Sequence, residues 1–291
     1  IVMAIIRVPQ DQPTIQQGVD AAIPGDIILV DSGNYKETVI VSTSSISIIA
    51  SKKHGVVLES NASNENAIQL NDTYNVEVFG FIIQNSHRSI WIYRGGYHRI
   101  IGNIFQNHNA DGIIFEDSTG NFLYQNIIRF NLSVGVLLGW SNPGSISNWI
   151  VENVITKNGG HGLEIWTPGA IGNAVIKNKI VDNNGQGIYT KGQNTLIYDN
   201  QVEHNDANGV RLEYGNNSVV AENAVKNNDN SGINILSDQN IAIANLVKKN
   251  QGAGIEISGN ENIIQGNKTT RNQAGYLLNS GNNNIFWNIT D

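Results

Sequence analysis

From about residue 60 onward the chain alternates apolar and polar positions in runs of three or four residues, and the runs recur at a near-constant interval. Segments such as Gly187-Ile-Tyr-Thr190 and Thr195-Leu-Ile-Tyr198 put every second side chain on one face, the mark of a short strand with one side buried. Aligned on the glycine ahead of each apolar-x-apolar triplet, the units start at Gly112, Gly135, Gly162, Gly187, Gly209, Gly232, Gly254 and Gly275, and Ser89 and Ala67 extend the register backwards. A second mark, Asn-x-x-x-x-Asn, lies inside each unit: Asn126/Asn131, Asn153/Asn158, Asn178/Asn183, Asn200/Asn205, Asn223/Asn228, Asn245/Asn250 and Asn267/Asn272. One unit earlier the pair reads Asn103/His108, and before that Gly80/Asn85.

A unit this short cannot bury its own apolar face, but stacked units can, each about 4.8 Å from the next. Asn and Gly between the strands tolerate left-handed backbone angles, and equivalent Asn amides stacked coil on coil can bond as ladders. The pattern therefore predicts an all-β, single-stranded, right-handed parallel β-helix of about ten coils, with residues 1–291 forming one domain. Residues 1–60 are read as the N-terminal cap and first coils, and 61–291 as the repeats of 21–27 residues. Helical repeats are excluded by the Gly and Asn density and by the lack of a helical apolar period. Near the N-terminus, Ile15, Val19 and Ala22 follow Thr14 at helical spacing, which predicts a short capped helix closing the solenoid's end. Asp26–Val30 and Thr38–Val41 read as strands flanking Ser32–Glu37. The last coil, Asn284–Ile289, shows no cap, so it is expected to be exposed or to be covered by another subunit in a homo-oligomer.

Composition narrows the function classes. Charged residues are 15% of the 291 and the formal net charge is −7, which argues against nucleic acid as a partner. No apolar run approaches a membrane span. With no Cys there is neither a disulfide framework nor a thiolate metal site. Read as the native start, Met3 implies synthesis without an ordinary signal peptide. Read as internal, it leaves room for a removed one and for an extracellular, cell-surface or spore-surface location.

The opening Val8-Pro-Gln-Asp-Gln-Pro-Thr-Ile-Gln16, then Pro24-Gly-Asp-Ile-Ile28 and Gly33-Asn-Tyr-Lys-Glu-Thr-Val39, with the Asn-x-Ile…Asn…Gly-Ile repeats after them, resemble the superfamily of right-handed β-helices. It includes pectate lyases, pectin esterases, polygalacturonases and alginate epimerases. The repeats also resemble the generic parallel β-helix repeat shared with the copper-site accessory protein of nitrous oxide reductase. Copper delivery is not expected, because soft Cu(I) sites favour Cys and Met and the chain has a single Met. Against the polygalacturonase motifs, Asn109-Ala-Asp111, Gly160-His161-Gly162 and Tyr189-Thr-Lys191 agree in order and coil spacing. Ser133 and Val134 stand where that family has paired aspartates, which removes the carboxyl pair an inverting hydrolase needs.

Strand alternation names the outward side chains of one sheet. The first column is Trp91, Ile114, Leu137, Glu164, Tyr189, Arg211, Asn234 and Glu256. The second is Tyr93, Glu116, Gly139, Trp166, Lys191, Glu213, Leu236 and Ser258, with Trp140 beside it. Aromatic rings on such a face suit sugar rings, and neighbouring carboxylates accept hydroxyl hydrogen bonds. Trp91, Tyr93, Glu116, Trp140, Trp166 and Tyr189 are thus candidate substrate-binding residues. Glu164, Glu213, His161, Lys191, Arg211 and Asp111 are candidate catalytic residues, with Asp111 and His161 equally readable as hydrogen-bonding turn residues. Glu164 and Glu213, two coils apart, are expected at roughly 10 Å. The two longer coils carry extra residues at 141–145 and 167–170, as binding faces often do. Glu116 and Asp117 point to opposite sides, so no metal site and no cofactor are expected. The expected partner is an extended, acidic polysaccharide or oligosaccharide, handled by a hydrolase, lyase or epimerase. The alternative is a non-catalytic β-helix, either a lectin-like binder or a structural surface, spore or phage-fibre component.

Overall fold

In the computed structural model, which describes residues 3–139 and 143–287, each coil contributes a strand to three parallel sheets. The long sheet has 13 strands, from Ile5–Val8 to Ile285–Trp287. The rear sheet has 11, from Gly33–Lys36 to Lys268–Thr270, and the front sheet has 11, from Val39–Val41 to Leu277–Asn279. The solenoid is longer than the ten coils expected, because its first turns lack the Gly and Asn marks. Gly33–Lys36, expected as the link between two strands, is itself the first strand of the rear sheet.

The middle residue of each three-residue strand in the long and rear sheets points inward. Leu123, Ile150, Val175, Ile197 and Val220 stack in one such column of a single continuous core. Residues on either side of them face out. On the long sheet one outward column runs Phe122, Trp149, Ala174, Leu196, Val219, Ile241, Ile263, and the other Tyr124, Val151, Ile176, Tyr198, Ala221, Ile243, Gln265.

Buried asparagines turn the corners between sheets. Asn178 gives its backbone N–H (2.9 Å) and one amide proton (3.1 Å) to the side-chain oxygen of Asn200 in the next coil. Its Nδ2 also bonds the carbonyls of Ile150 (2.8 Å) and Ile176 (3.0 Å). The same bonds repeat from Asn103 to Asn267, and a second ladder runs from His108 to Asn272. Both were expected, but the earliest pair is corrected by one residue: Phe81 and Ser86, not Gly80 and Asn85, donate to Asn103 and His108. A third ladder, through Asn121, Asn148, Asn173, Asn240 and Asn262, precedes the long sheet five residues ahead of the first. Thr195 and Ser218 replace Asn in its middle. The repeated glycines have a packing reason. A Cβ on Gly112, Gly135 or Gly187 would lie 2.5–2.6 Å from the carbonyl oxygen of the equivalent glycine one coil on.

The predicted cap is present as α1, Ile15–Ala21, with Thr14 Oγ1 accepting from the Gln17 N–H at 3.1 Å. Glu37 Oε1 and Oε2 take the N–H groups of Ile15 (2.9 Å) and Gln16 (2.8 Å), so a carboxylate from the first rear-sheet turn satisfies the helix's orphan donors. Ile15 and Val19 are buried against the first coil. At the other end Tyr276, Leu278, Ile285 and Trp287 are exposed.

Replacing Asn200 by Ala would leave the backbone N–H of Asn178 and two carbonyls without their partner. Each buried orphan costs about 1–3 kcal/mol. Urea unfolding should therefore show a loss of about 2–4 kcal/mol for Asn200→Ala and next to none for the exposed Asn109→Ala.

Candidate active site

Both outward columns of the front sheet are observed in register. Trp91, Ile114, Leu137, Glu164, Tyr189, Arg211, Asn234 and Glu256 stack through strand pairing. Tyr93 lies below Glu116, and main-chain bonds continue that column through Gly139, Trp166, Lys191, Glu213, Leu236 and Ser258. Trp140 lies outside the described residues.

The first column is not the open surface its alternation implies. Ile114 and Leu137 are each 2% exposed, because Val134 from the adjoining turn packs on them and Trp91 closes the cluster from below. They form a dry floor between two polar groups. Below it Trp91 and Tyr93 stack with ring centroids 5.3 Å apart, and Trp91 Nε1 donates to Glu116 Oε2 at 2.9 Å. Arg94 Nη2 bonds the Tyr93 hydroxyl at 2.8 Å. Asn66, Arg88, Trp91, Ile114 and Glu116 line a hollow of about 200 Å³ here.

Above the floor is the upper group, centred on Glu164. It is 5% exposed, wedged in its column between Leu137 and Tyr189, and its Oε1 has no hydrogen-bond partner. Burial pushes its carboxyl up to about 7; Lys191 opposes the rise and Asp111 adds to it. Beside it the Lys191 ammonium sits 3.8 Å from the centroid of the Trp166 ring, which is 45% exposed, and 5.4 Å from that of Tyr189.

Glu213 differs from Glu164 in every respect. Its Oε2 accepts from the Tyr189 hydroxyl (2.8 Å) and from Arg211 Nη2 (2.8 Å) and Nε (3.1 Å). Burial acts to raise its carboxyl, but the bonds from Tyr189 and Arg211 outweigh this and hold it below the usual range. Tyr189 is raised in turn by burial and by its bond to Glu213, so it stays a phenol. The columns thus hold two carboxyls whose environments drive them apart, one pushed up to about 7 and still partly protonated at neutral pH, the other held ionised, as acid–base pairs require.

His161 and Asp111 belong to the turn just before the front strands. His161 Nδ1 accepts the Gln186 N–H at 2.9 Å, which leaves the proton of the neutral ring on Nε2. Burial, then Arg211 and Lys191, hold the imidazole below its ordinary value. His161 is therefore a hydrogen-bond donor beside Tyr189 (centroids 5.3 Å apart) rather than a base. Asp111 Oδ2 pairs with Arg88 Nε at 3.0 Å, and its Oδ1 takes the Val134 N–H at 3.2 Å. Gln186, Asn208 and Ser231 continue the same side-chain-to-backbone pattern in later coils. This turn ladder and the Arg88 partner were missed in the sequence. The signal was present, since Arg88, Asp111, His161, Gln186, Asn208 and Ser231 each precede a unit's first position.

With this geometry in place, comparison with known proteins gives the following. Residues 19–205 match the family described as periplasmic copper-binding protein (NosD), and residues 170–290 match that described as right handed beta helix region. No curated protein matches the chain. Among solved structures, the A-module of the mannuronan C-5 epimerase AlgE4 of Azotobacter vinelandii superposes with a TM-score of 0.74 at 12% identity, over 94% of this chain and 91% of that one. ORF18 of Geobacillus virus E2 also gives 0.74, at 13% identity, over 98% of this chain and 61% of that one. Pectate lyase Pel9A gives 0.65 at 13% identity, over 97% and 78%. These likenesses establish the right-handed β-helix fold and nothing finer.

Copper does not fit the residues present. The chain has no Cys, and its one Met, Met3, is 60% exposed. Among the described residues no three His, Cys, Asp or Glu side chains converge on one point. His98 and His108 are buried, held by burial down to about 4, and spend Nδ1 on backbone N–H groups of the ladders.

The folded pKa of Glu164, raised from 4.5 to about 7, has a stability consequence. Folded protein holds this proton more tightly than unfolded, so its contribution is complete below about pH 4.5 and is lost as pH rises through 7. Roughly 3 kcal/mol is at stake at one pKa unit per 1.36 kcal/mol. Unfolding free energies measured from pH 4 to 8 should fall for the native chain, and Glu164→Gln should remove most of that slope.

Proposed function

The chain belongs to the NosD family, and from that premise we propose that its front sheet binds an extended acidic polysaccharide and breaks a glycosidic bond over Glu164. The observation that carries this is Glu164 itself: a buried carboxyl with an unpartnered oxygen, pushed up to about 7 by burial, with the Tyr189 ring above it and the Lys191 ammonium beside it. A solenoid built only for strength has no use for such a group.

Lys191 and Arg211 supply the positive charge that a uronate carboxylate needs, on a chain whose net charge of −7 would otherwise repel it. The stacked Trp91 and Tyr93 and the exposed Trp166 ring lie on the first and fourth coils of the columns, so a polymer running along the stack meets apolar ring faces at both ends of the dry floor. Glu164 in its neutral form donates a proton to the leaving glycosidic oxygen. Glu213, ionised, either takes the proton of an attacking water in a hydrolysis or takes the C5 proton of a uronate in an elimination, with Arg211 holding the uronate carboxylate. His161 donates to ring substituents, while the Tyr189 hydroxyl, its proton on Glu213, accepts from them and keeps the two carboxyls apart. The epimerase and lyase names of the structural neighbours support polysaccharide as the ligand class.

One observation favours a second reading, that of a lectin-like binder. Glu213 Oε2 already takes three donors, which weakens it as a base.

The two readings separate in one assay of polygalacturonate, alginate and neutral glucans. The expected result is shortening of an acidic polymer, falling off as pH rises past about 7. Glu164→Gln should lower kcat at least 100-fold with binding retained, and Trp166→Ala should act mainly on KM. Binding without turnover would establish the lectin-like reading, and neither binding nor turnover would end both.

A further inference from the structure

The outward face of the long sheet is unlike the rest of the surface. Over the seven coils from Phe122 to Ile263 its two outward columns contain no Asp, Glu, Lys or Arg, and Gln265 is their one amide. The rear sheet, built from the same repeats, places Arg129, Lys179, Glu203, Lys226 and Lys248 at equivalent outward positions. Repeat composition therefore does not account for the difference. Trp149 is 48% exposed on this face, and apart from the buried Ala174 and Ala221 the other column residues are only partly covered. Polar residues rim it on both sides. Ser147, Asn194, Asn217 and Gln239 lie before the strands; Glu152, Lys177, Asp199 and Glu222 lie after them. An apolar centre with a polar rim is the anatomy of a protein interface.

We propose that this face is where two copies of the chain pack against each other as an isologous dimer. Three observations favour a second copy over another occupant. Seven strands at about 4.8 Å extend roughly 30 Å and, with one rim residue on each side of a three-residue strand, span roughly 16 Å, a projected patch of about 500 Å² per partner that meets the ~1,000 Å² total a specific interface must clear. A two-fold axis along the central strand, Leu196–Tyr198, reverses the coil order. The aromatic end, Phe122, Tyr124 and Trp149, then meets the aliphatic end, Ile241, Ile243 and Ile263, of the second copy. The same rotation sets Lys177 against Glu222 twice; the outward columns bring no charges together, and the one like-charge approach is Asp199, which lies on the axis at the exposed rim and faces its own copy. The front sheet stays open on both copies, so this pairing is independent of the polysaccharide reading.

The test is the mass of the purified chain in solution by light scattering or sedimentation at micromolar concentration. The expected result is twice the 31.7 kDa chain mass. Ile176→Glu combined with Val219→Glu should halve it, and Thr156→Glu on the rear sheet should not. Both altered positions face outward, and an unchanged thermal transition and circular dichroism spectrum would show that the fold survives. As a second probe, Leu196→Cys introduces the chain's sole thiol, and a short bismaleimide should link it to its counterpart in the second copy. A monomeric native chain overturns the proposal. So does a dimer that persists in the double variant and leaves the thiol unlinked, which would move the contact to the exposed last coil around Tyr276 and Trp287.

Discussion

The buried asparagine amide is the interaction on which this molecule depends. A parallel β-helix must turn sharply between strands in every coil, and each turn buries backbone donors and acceptors that no strand can satisfy. Asn answers this with two donors and an acceptor on one short side chain. Asn153 binds the coil above through Asn178, the coil below through the carbonyl of Leu123, and its own coil through the carbonyl of Val151. Because each amide is both donor and acceptor, the ladders leave almost nothing unpaired. Where they change character, at His98 and His108, the far ring nitrogens lack partners. Those two positions mark the transition from the irregular first coils to the regular repeats.

A scaffold locked in this way fixes function by column. Side chains one coil apart are held at strand spacing, so a residue's chemistry is set by what stands directly above, below and beside it. Glu164 and Glu213 are the same residue type on the same sheet. One has a leucine below and a tyrosine ring above and goes without a partner; the other has a guanidinium and a phenol bonded to it. That difference alone pushes one carboxyl up to about 7 and holds the other below the usual range. The long sheet uses the same logic with opposite chemistry, keeping its outward columns free of charge over seven coils.

The fold was legible in the sequence to an unusual degree, because the repeat states the register many times over. Gly112 and its equivalents mark places where a Cβ would strike the next coil, and the Asn pairs mark two of the three corners. The third ladder was hidden by Thr195 and Ser218, whose hydroxyls do part of the same work. The first coils were under-read because they lack both marks. At the site, alternation placed every outward residue correctly but could not say which were covered. Coverage comes from turn residues such as Val134, whose packing on Ile114 and Leu137 is a tertiary event. The shift of Glu164, the pairing of Arg88 with Asp111 and the tautomer of His161 all follow from that same layer.

The account rests on the front sheet being a sugar-binding face with Glu164 at its reactive point. A crystal structure of the Glu164→Gln chain soaked with a uronic-acid oligosaccharide tests this most directly. The expected result is an oligosaccharide lying along the solenoid between Trp91 and Trp166, with a carboxylate near Lys191 or Arg211 and a glycosidic oxygen within hydrogen-bond distance of residue 164. Sugar bound on another face, or an empty front sheet at saturating ligand, would contradict it.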